Sequence, residues 1–196
     1  AVGQFPVDLK DIDPDFYAAC GHKWLLGPQG TGMLYIRGDL LPEVEVSWSG
    51  WGSEVEPWME GGEGGSLSLE GQEFTLLDSA RRYEYGTRPW PLFIGLGMAI
   101  NYINAIGLRE IEARVHRLAS HLRHSLREIP SLRLLTPESE ELSTGLVTFE
   151  IEGLGGEDPA ERLWARRRII ALYNPTQRRM RLSVAFFTLE GELDEV

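Results

Sequence analysis

The sequence has few of the features that mark secreted, membrane-spanning or nucleic-acid-binding proteins. It contains a single cysteine, Cys20, so no internal disulfide can form, and we expect a cytoplasmic protein in a reducing compartment. No apolar run approaches the ~20 residues that cross a bilayer, and the N-terminus lacks the pattern of a secretion signal. Acidic residues outnumber basic ones by 30 to 19, for a net charge of -11. Because phosphate backbones and anionic membranes attract basic patches, we expect neither nucleic acid nor a membrane as a partner.

An initiator methionine is also absent, and residues 1–6 resemble the middle of a domain. We therefore expect the chain to be part of a longer protein. What is present is an ordinary globular composition: 42% of the 196 residues are hydrophobic, enough for one large domain or two small ones. We assign no metal site.

The order of apolar segments and turn residues predicts an α/β protein with two domains. The apolar run 16–20 indicates a strand, a glycine-rich loop covers 27–32, and 33–36 indicates a second strand, both strands being expected to be buried. We expect residues 1–92 to close an α/β sheet domain and residues 93–196 to form a smaller α+β domain.

Periodicity defines the elements of the second domain. A buried apolar helix is predicted at 93–103, a break at Gly107, and a long amphipathic helix at 108–126. The further predicted elements are strands at 146–151, 169–173 and 179–187, a helix at 160–168 behind an Asp158 N-cap, and a C-terminal helix capped by Thr188.

A long glycine-rich segment, 43–71, carries Trp48, Trp51 and Trp58. Loops of this length are usually functional or disordered. Two interpretations fit its tryptophan-bearing part, 47–58. It lines a substrate pocket, which favours a sizeable or apolar substrate, or it packs in the core or at a dimer interface.

Lys23 lies where a predicted strand meets the glycine loop, between His22 and Trp24 rather than among charged residues. Partial burial can lower the pKa of a lysine, and the neutral amine can then condense with an aldehyde to form a Schiff base. Taken without its neighbours, an ordinary solvated lysine fits the same position.

The residues around Lys23 resemble the cofactor-lysine signature of the class V aminotransferase family. The resemblance rests on Gly21-His22-Lys23 followed by Gly27-Pro28-Gln29-Gly30-Thr31-Gly32, and on residues 3–8 upstream. It implies the PLP-dependent fold type I, with residues 1–92 as the end of the cofactor-binding large domain, and pyridoxal 5'-phosphate (PLP) as cofactor. Lys23 is then the residue that holds PLP as a Schiff base and moves the α proton of an amino-acid substrate.

The same resemblance implies cofactor contacts for two residues beside Lys23. His22 lies on the phosphate side, and Cys20 stands where many members carry a phosphate-binding serine. A thiol is a poorer hydrogen-bond donor than a hydroxyl, and Cys20 fits equally well as a small buried apolar residue.

Two later segments extend the resemblance. Residues 82–87 are similar to the family's stretch in which a Gly-Thr pair reaches a partner subunit's phosphate, which implies that Thr87 binds cofactor and that the enzyme is a homodimer with a shared active site. Met180-Arg181-Leu182-Ser183 is similar to the segment that carries the arginine for the substrate α-carboxylate, a group that a guanidinium binds bidentately. Arg179 is a near neighbour that could be mistaken for Arg181, and either could be a solvated strand residue.

The resemblance leaves the reaction open. The family includes transaminases, cysteine desulfurases, selenocysteine lyases, kynureninases and isopenicillin N epimerase-like proteins. Desulfurases and selenocysteine lyases carry a nucleophilic cysteine shortly before the carboxylate-binding arginine, and residues 171–179 contain none, which disfavours that chemistry. Transamination, epimerisation and elimination remain. The resemblance places the aspartate that pairs with the pyridine nitrogen upstream of Ala1, so we expect this piece alone to be inactive.

Two other functions compete with this interpretation. A nucleotide-binding module with 27–32 as the phosphate cradle is disfavoured, because the lysine precedes the glycines and no Gly-Lys-Ser/Thr ending follows. A catalytically inactive interaction domain of the same fold stays open.

Overall fold

The computed structural model describes residues 2–54, 76–153, 156 and 158–196, so Trp58 and most of the glycine-rich segment lie outside the described residues. The chain divides into two compact units. One is Asp8–Ala99, and the other combines Ala1–Val7 with Ile100–Val196. The domain boundary predicted between residues 92 and 93 stays a prediction.

The first unit contains a two-stranded antiparallel sheet. Strand β1, Phe16–Cys20, pairs with β2, Gly32–Ile36, in a register that places Cys20 opposite Gly32. Both strands were predicted at these positions, but the expectation that they are buried is wrong. Of the residues in these two described strands, Ile36 alone is buried, because the described part of the chain does not cover both faces of this two-stranded sheet.

A short helix that the sequence did not predict precedes the sheet. Helix α1 covers Leu9–Ile12, and the Asp8 carboxylate caps it by accepting a hydrogen bond from the Lys10 backbone N–H at 2.8 Å. A helix of four residues is too short to show a hydrophobic period, so the pattern of apolar residues could not reveal it.

Helix α2, Trp90–Ile106, is longer and more exposed than predicted. Leu96 and Ile103 are buried, as expected for a core helix. The opposite side exposes large apolar residues at four-residue steps, each more than half exposed: Trp90, Ile94, Met98 and Tyr102. The prediction of a buried helix is wrong for this side, because a helix that is apolar all round needs cover on several faces and the described part of the chain covers one.

Helix α3, Leu108–Arg127, confirms the predicted amphipathic helix, and the chain breaks before it at Gly107, whose φ is 97°. The residues of its buried face are Ile111, Val115, Leu118, Ala119, Leu122, Arg123 and Leu126. Within the described residues, no single helix is long and apolar enough to cross a bilayer, and α2 and α3 meet that condition only as a pair bent by 76°.

The second unit is built on a four-stranded antiparallel sheet in the order β3-β4-β6-β5. The strands are β3 Leu132–Leu134, β4 Leu146–Ile151, β5 Leu172–Asn174 and β6 Arg179–Ser183. One face carries Val147, Phe149, Met180 and Leu182, which form a core with α3. Because side chains alternate along a strand, the residues between them lie on the opposite face.

The remaining helices follow the predicted order with shifted ends. Helix α4, Pro159–Arg167, begins behind the predicted Asp158 cap, whose carboxylate accepts a hydrogen bond from the Ala160 N–H at 2.8 Å. The predicted strand 179–187 stops at Ser183.

The predicted Thr188 cap is wrong. The Thr188 hydroxyl accepts a hydrogen bond from the Ala185 N–H at 3.1 Å, and the Thr188 N–H donates to the Ala185 carbonyl at 3.0 Å. This tight turn ends the extended segment, and the last helix, α5 Glu190–Leu193, begins one residue later, after Leu189.

Candidate active site

Lys23 lies at the tip of a loop that joins β1 to β2. The Gly27 N–H donates to the Gly21 carbonyl at 2.9 Å, which closes the loop into a ring of seven residues, Gly21 to Gly27. Inside this ring the Leu26 N–H donates to the Lys23 carbonyl at 3.0 Å. His22 and Lys23 are exposed while Gly21 is buried. The backbone therefore presents both side chains outward from a fixed base.

The glycines of this loop are required by close packing. A Cβ at Gly27 would lie 2.7 Å from Leu96 Cδ1 and 2.8 Å from the Gly21 carbonyl oxygen, and a Cβ at Gly21 would meet the Thr31 hydroxyl. Thr31 is buried, and its hydroxyl donates to the Pro28 carbonyl at 2.6 Å. The loop thus rests directly on helix α2, which holds the position of Lys23.

Replacing Gly27 with alanine is expected to move this loop. The added methyl group cannot avoid the Gly21 carbonyl, which is backbone, so we expect the ring to open and stability to fall by about 1–3 kcal/mol, as for overpacked cores. Thermal unfolding of the full-length protein measures this cost. Gly38→Ala is the control, because a Cβ there meets nothing within 4 Å. Equal unfolding temperatures for the two variants would show that the loop tolerates a methyl group at Gly27 and would contradict this prediction.

The Lys23 amine is available for chemistry. Within the described part of the chain it makes no hydrogen bond or ion pair, and its side chain is exposed. Cys20, at the end of β1, is also exposed rather than buried, so its interpretation as a small core residue is wrong for this chain. These two residues and His22 lie within four positions of one another at the loop end of the β1–β2 hairpin.

Thr87 lies on a second braced turn of the same unit. Gly86 adopts a φ of 78°, and its N–H donates to the Trp51 carbonyl at 2.7 Å. On the other side, Arg88 pairs with the Glu84 carboxylate at 3.1 Å. Thr87 is exposed and lies three residues before α2, the helix on which the Lys23 loop rests. The structure thus holds both predicted cofactor-binding segments on one compact unit.

The described part of the tryptophan-bearing segment, 47–54, contacts this turn through the backbone of Trp51, and its two tryptophan side chains are exposed. Trp48 and Trp51 are 71% and 58% exposed, so these two described tryptophans do not fill the core of this chain. Among the described residues of the segment, 47–54, Ser53 is the buried one, and its hydroxyl donates to the Gly50 carbonyl at 2.7 Å. Pocket wall and dimer contact therefore both stay open, and core packing does not apply to Trp48 or Trp51.

Arg181 lies in the other unit, on the polar face of the four-stranded sheet. Its partners in register are Thr148 on β4 and Leu172 on β5, neither of which is charged. Within the described residues Arg181 makes no hydrogen bond or ion pair. Arg179, two residues earlier, pairs with Glu150 at 3.1 Å. The two neighbouring arginines are therefore not equivalent, and Arg181 is the one whose guanidinium is open to a ligand.

Glu150 lies on the same face of the sheet, and the sequence analysis did not predict it as a site residue. Its carboxylate accepts hydrogen bonds from Arg133 on β3 and from Arg179 on β6. The guanidinium of Arg133, followed by that of Arg179, lowers the pKa of the Glu150 carboxyl. The carboxylate is therefore charged and shared by two cations.

Comparison with protein families identifies the family to which this chain belongs. The family model described as aminotransferase class-V matches residues 1–172. This chain is a member of that family.

Several class V relatives resemble the chain closely. Isopenicillin N epimerase from Streptomyces clavuligerus is 35% identical over 202 residues, which cover 100% of this chain and 49% of that protein. A cysteine desulfurase from Haloferax volcanii is 31% identical over 153 residues, covering 78% of this chain and 33% of the relative. The chain thus spans between a third and a half of the length of these relatives.

Solved structures show the same fold. An apo cysteine desulfurase from Thermococcus onnurineus superposes with a TM-score of 0.83 at 27% identity, over 99% of this chain and 48% of its own. A C-DES mutant with glycine covalently linked to its PLP cofactor gives a TM-score of 0.82 at 26% identity, over 99% of this chain and 47% of its own. This class V chain therefore has the PLP fold type I architecture, as the sequence predicted.

The residues of the Lys23 loop fit the cofactor that class V enzymes use. PLP requires a primary amine that can reach its aldehyde and polar groups that bind its phosphate. Lys23 provides an exposed amine with no partner among the described residues, and His22 and Thr87 are exposed polar side chains. Cys20, at the end of β1, adds an exposed weak donor next to this loop.

Proposed function

We propose that the protein containing this chain is a PLP-dependent enzyme that acts on an amino acid by transamination, epimerisation or elimination. The observation that carries the proposal is the Lys23 amine, which has no hydrogen-bond or ion-pair partner among the described residues and is held at the tip of a ring closed by packed glycines in a class V chain. When bound, PLP supplies an electron sink for the bond-breaking step. Substrate binding and proton movement are assigned to side chains of the protein.

Lys23 is the residue to which we assign the covalent link to PLP and the movement of the substrate α proton. His22 and Cys20 bind the cofactor phosphate side, and Thr87 binds the phosphate of a partner subunit. Arg181 binds the substrate carboxylate, a function supported by a guanidinium that has no partner among the described residues.

A homodimer is part of the same proposal. Thr87 lies three residues before α2, which exposes the stripe Trp90, Ile94, Met98 and Tyr102. Contiguous exposed apolar residues mark interaction surfaces. A second subunit that approaches Thr87 would meet the start of this stripe, so the two features support one interface.

The choice of reaction rests on what surrounds Arg181. The segment before β6 contains no cysteine, and its turn is closed by a hydrogen bond from the Gln177 N–H to the Asn174 side-chain oxygen at 3.1 Å. Persulfide chemistry is therefore disfavoured, although several relatives are cysteine desulfurases. The epimerase that matches the chain over its whole length supports a reaction confined to proton transfer at the α carbon.

A catalytically inactive member of the fold is the alternative. One experiment tests the proposed enzyme against this alternative: the visible absorption spectrum of the full-length protein, purified with PLP, is recorded before and after borohydride. We expect a Schiff-base band that borohydride abolishes, with the reduced cofactor on the peptide that contains Lys23. A folded protein without any such band would refute the enzyme and leave the inactive domain.

A further inference from the structure

We infer that Glu150 is a specificity-determining residue, which keeps Arg179 out of the carboxylate site and thereby restricts Arg181 to ligands that present a single carboxylate. The inference rests on the proposed role of Arg181. It concerns the polar face of the four-stranded sheet, where Arg133, Glu150, Arg179 and Arg181 lie on three adjacent strands.

The strand register places the two candidate arginines close together. Arg179 and Arg181 are two residues apart on β6, so both point to the same face with Cα atoms about 6–7 Å apart. Two guanidinium groups at that spacing match a ligand with two carboxylates separated by a short chain. The face would therefore bind a dicarboxylate if both arginines were free.

Glu150 prevents dicarboxylate binding because its carboxylate forms an ion pair with Arg179. In register it lies directly opposite Arg179, and its Oε1 accepts from Arg179 Nε at 3.1 Å. Its other oxygen, Oε2, accepts from Arg133, so the carboxylate is held from both sides. The Glu150 side chain is 22% exposed, which limits competition from water and salt.

The two arginines also keep Glu150 away from Arg181. A carboxylate one diagonal step from Arg181 could otherwise fill the ligand site itself, because diagonal neighbours on a sheet face are within reach of long side chains. Arg133 and Arg179 share both oxygens of Glu150. Arg181, opposite the uncharged Thr148, is left open.

Ligand-observed NMR titration of the full-length protein tests this with two unreactive acids, butyrate and glutarate. They differ by one carboxylate and need no chemistry at the cofactor. In the Glu150→Gln variant we expect glutarate to bind about tenfold more tightly, the size of one added hydrogen bond between charged groups. Butyrate affinity should change less than twofold. Adding Arg179→Gln to Glu150→Gln should reverse the gain for glutarate.

Three results would overturn the inference, and they have different meanings. If Glu150→Gln tightens neither acid, or tightens both equally, Arg179 is not a hidden second site. If Arg181→Gln leaves butyrate binding intact, the carboxylate site lies elsewhere, and the proposed role of Arg181 fails as well. Loss of butyrate in Arg181→Gln without a glutarate gain in Glu150→Gln rejects the inference alone. Circular dichroism melting of each variant verifies that it is folded.

Discussion

A Lys23→Ala variant of the full-length protein is expected to show no borohydride-reducible band and to lose about 10⁴-fold in turnover, the upper range for removal of a general acid–base group. Alanine can neither form the covalent link to PLP nor move a proton. Because Lys23 is exposed and its amine makes no hydrogen bond or ion pair with a described residue, the fold should survive the change. Absorption spectra and single-turnover rates measure the two effects, and unfolding temperature should change little.

Lys10→Ala is the matched control, because Lys10 and Lys23 are the two lysines of this sequence. Lys10 contributes to the cap of α1 through its backbone N–H, so removal of its amine leaves that hydrogen bond to Asp8 intact. We expect Lys10→Ala to keep both the band and the activity. A Lys23→Ala protein that still forms a reducible band would show that another lysine holds the cofactor.

The parts of the fold that the sequence predicted are those where a local signal is strong. The three- and four-residue steps from Leu108 to Leu126 gave α3, and Asp158 before Pro159 gave the start of α4. Strand β4 was predicted with its observed bounds, Leu146–Ile151, because alternation and flanking turns both mark it. Each of these three elements finds the cover that its apolar residues need within one compact unit.

The errors concern burial and strand ends, which local patterns do not determine. Phe16, Leu34 and Ile94 are apolar and were expected inside, yet each is more than half exposed. Apolar composition shows that a surface needs cover and does not show whether the same chain provides it. Similarly, β6 ends early because the Ala185–Thr188 turn is closed by hydrogen bonds between residues that all suit a strand.

For the candidate site, sequence motifs identified single residues, and the structure showed which of them contact or pair with one another. The glycine spacing pointed to Lys23, but only the structure shows that Gly27 and Gly21 close a ring against Leu96. Glu150 had no motif, since its importance depends on the pairing of β4 with β6. That pairing also separates Arg179 from Arg181, which the sequence alone left ambiguous.

The second large effect is expected for Arg181→Ala, which should lower kcat/KM for the amino-acid substrate about 100-fold, the loss of two charge-assisted hydrogen bonds to a carboxylate. Because Arg181 has no partner among the described residues, its removal leaves no carboxylate of the protein unpaired. Stability should therefore be unchanged while substrate binding weakens. Steady-state kinetics and thermal melting on the same preparation separate the two.

Arg179→Ala is the control that makes this result specific. It removes the same charge two residues away, but Glu150 keeps its contact with Arg133, so the carboxylate is still neutralised and Arg181 stays open. We expect kcat/KM to fall by less than about tenfold, within the range of a surface ion pair. A larger loss from Arg179→Ala than from Arg181→Ala would exchange the two assignments, because Arg179 would then be the arginine that grips the substrate.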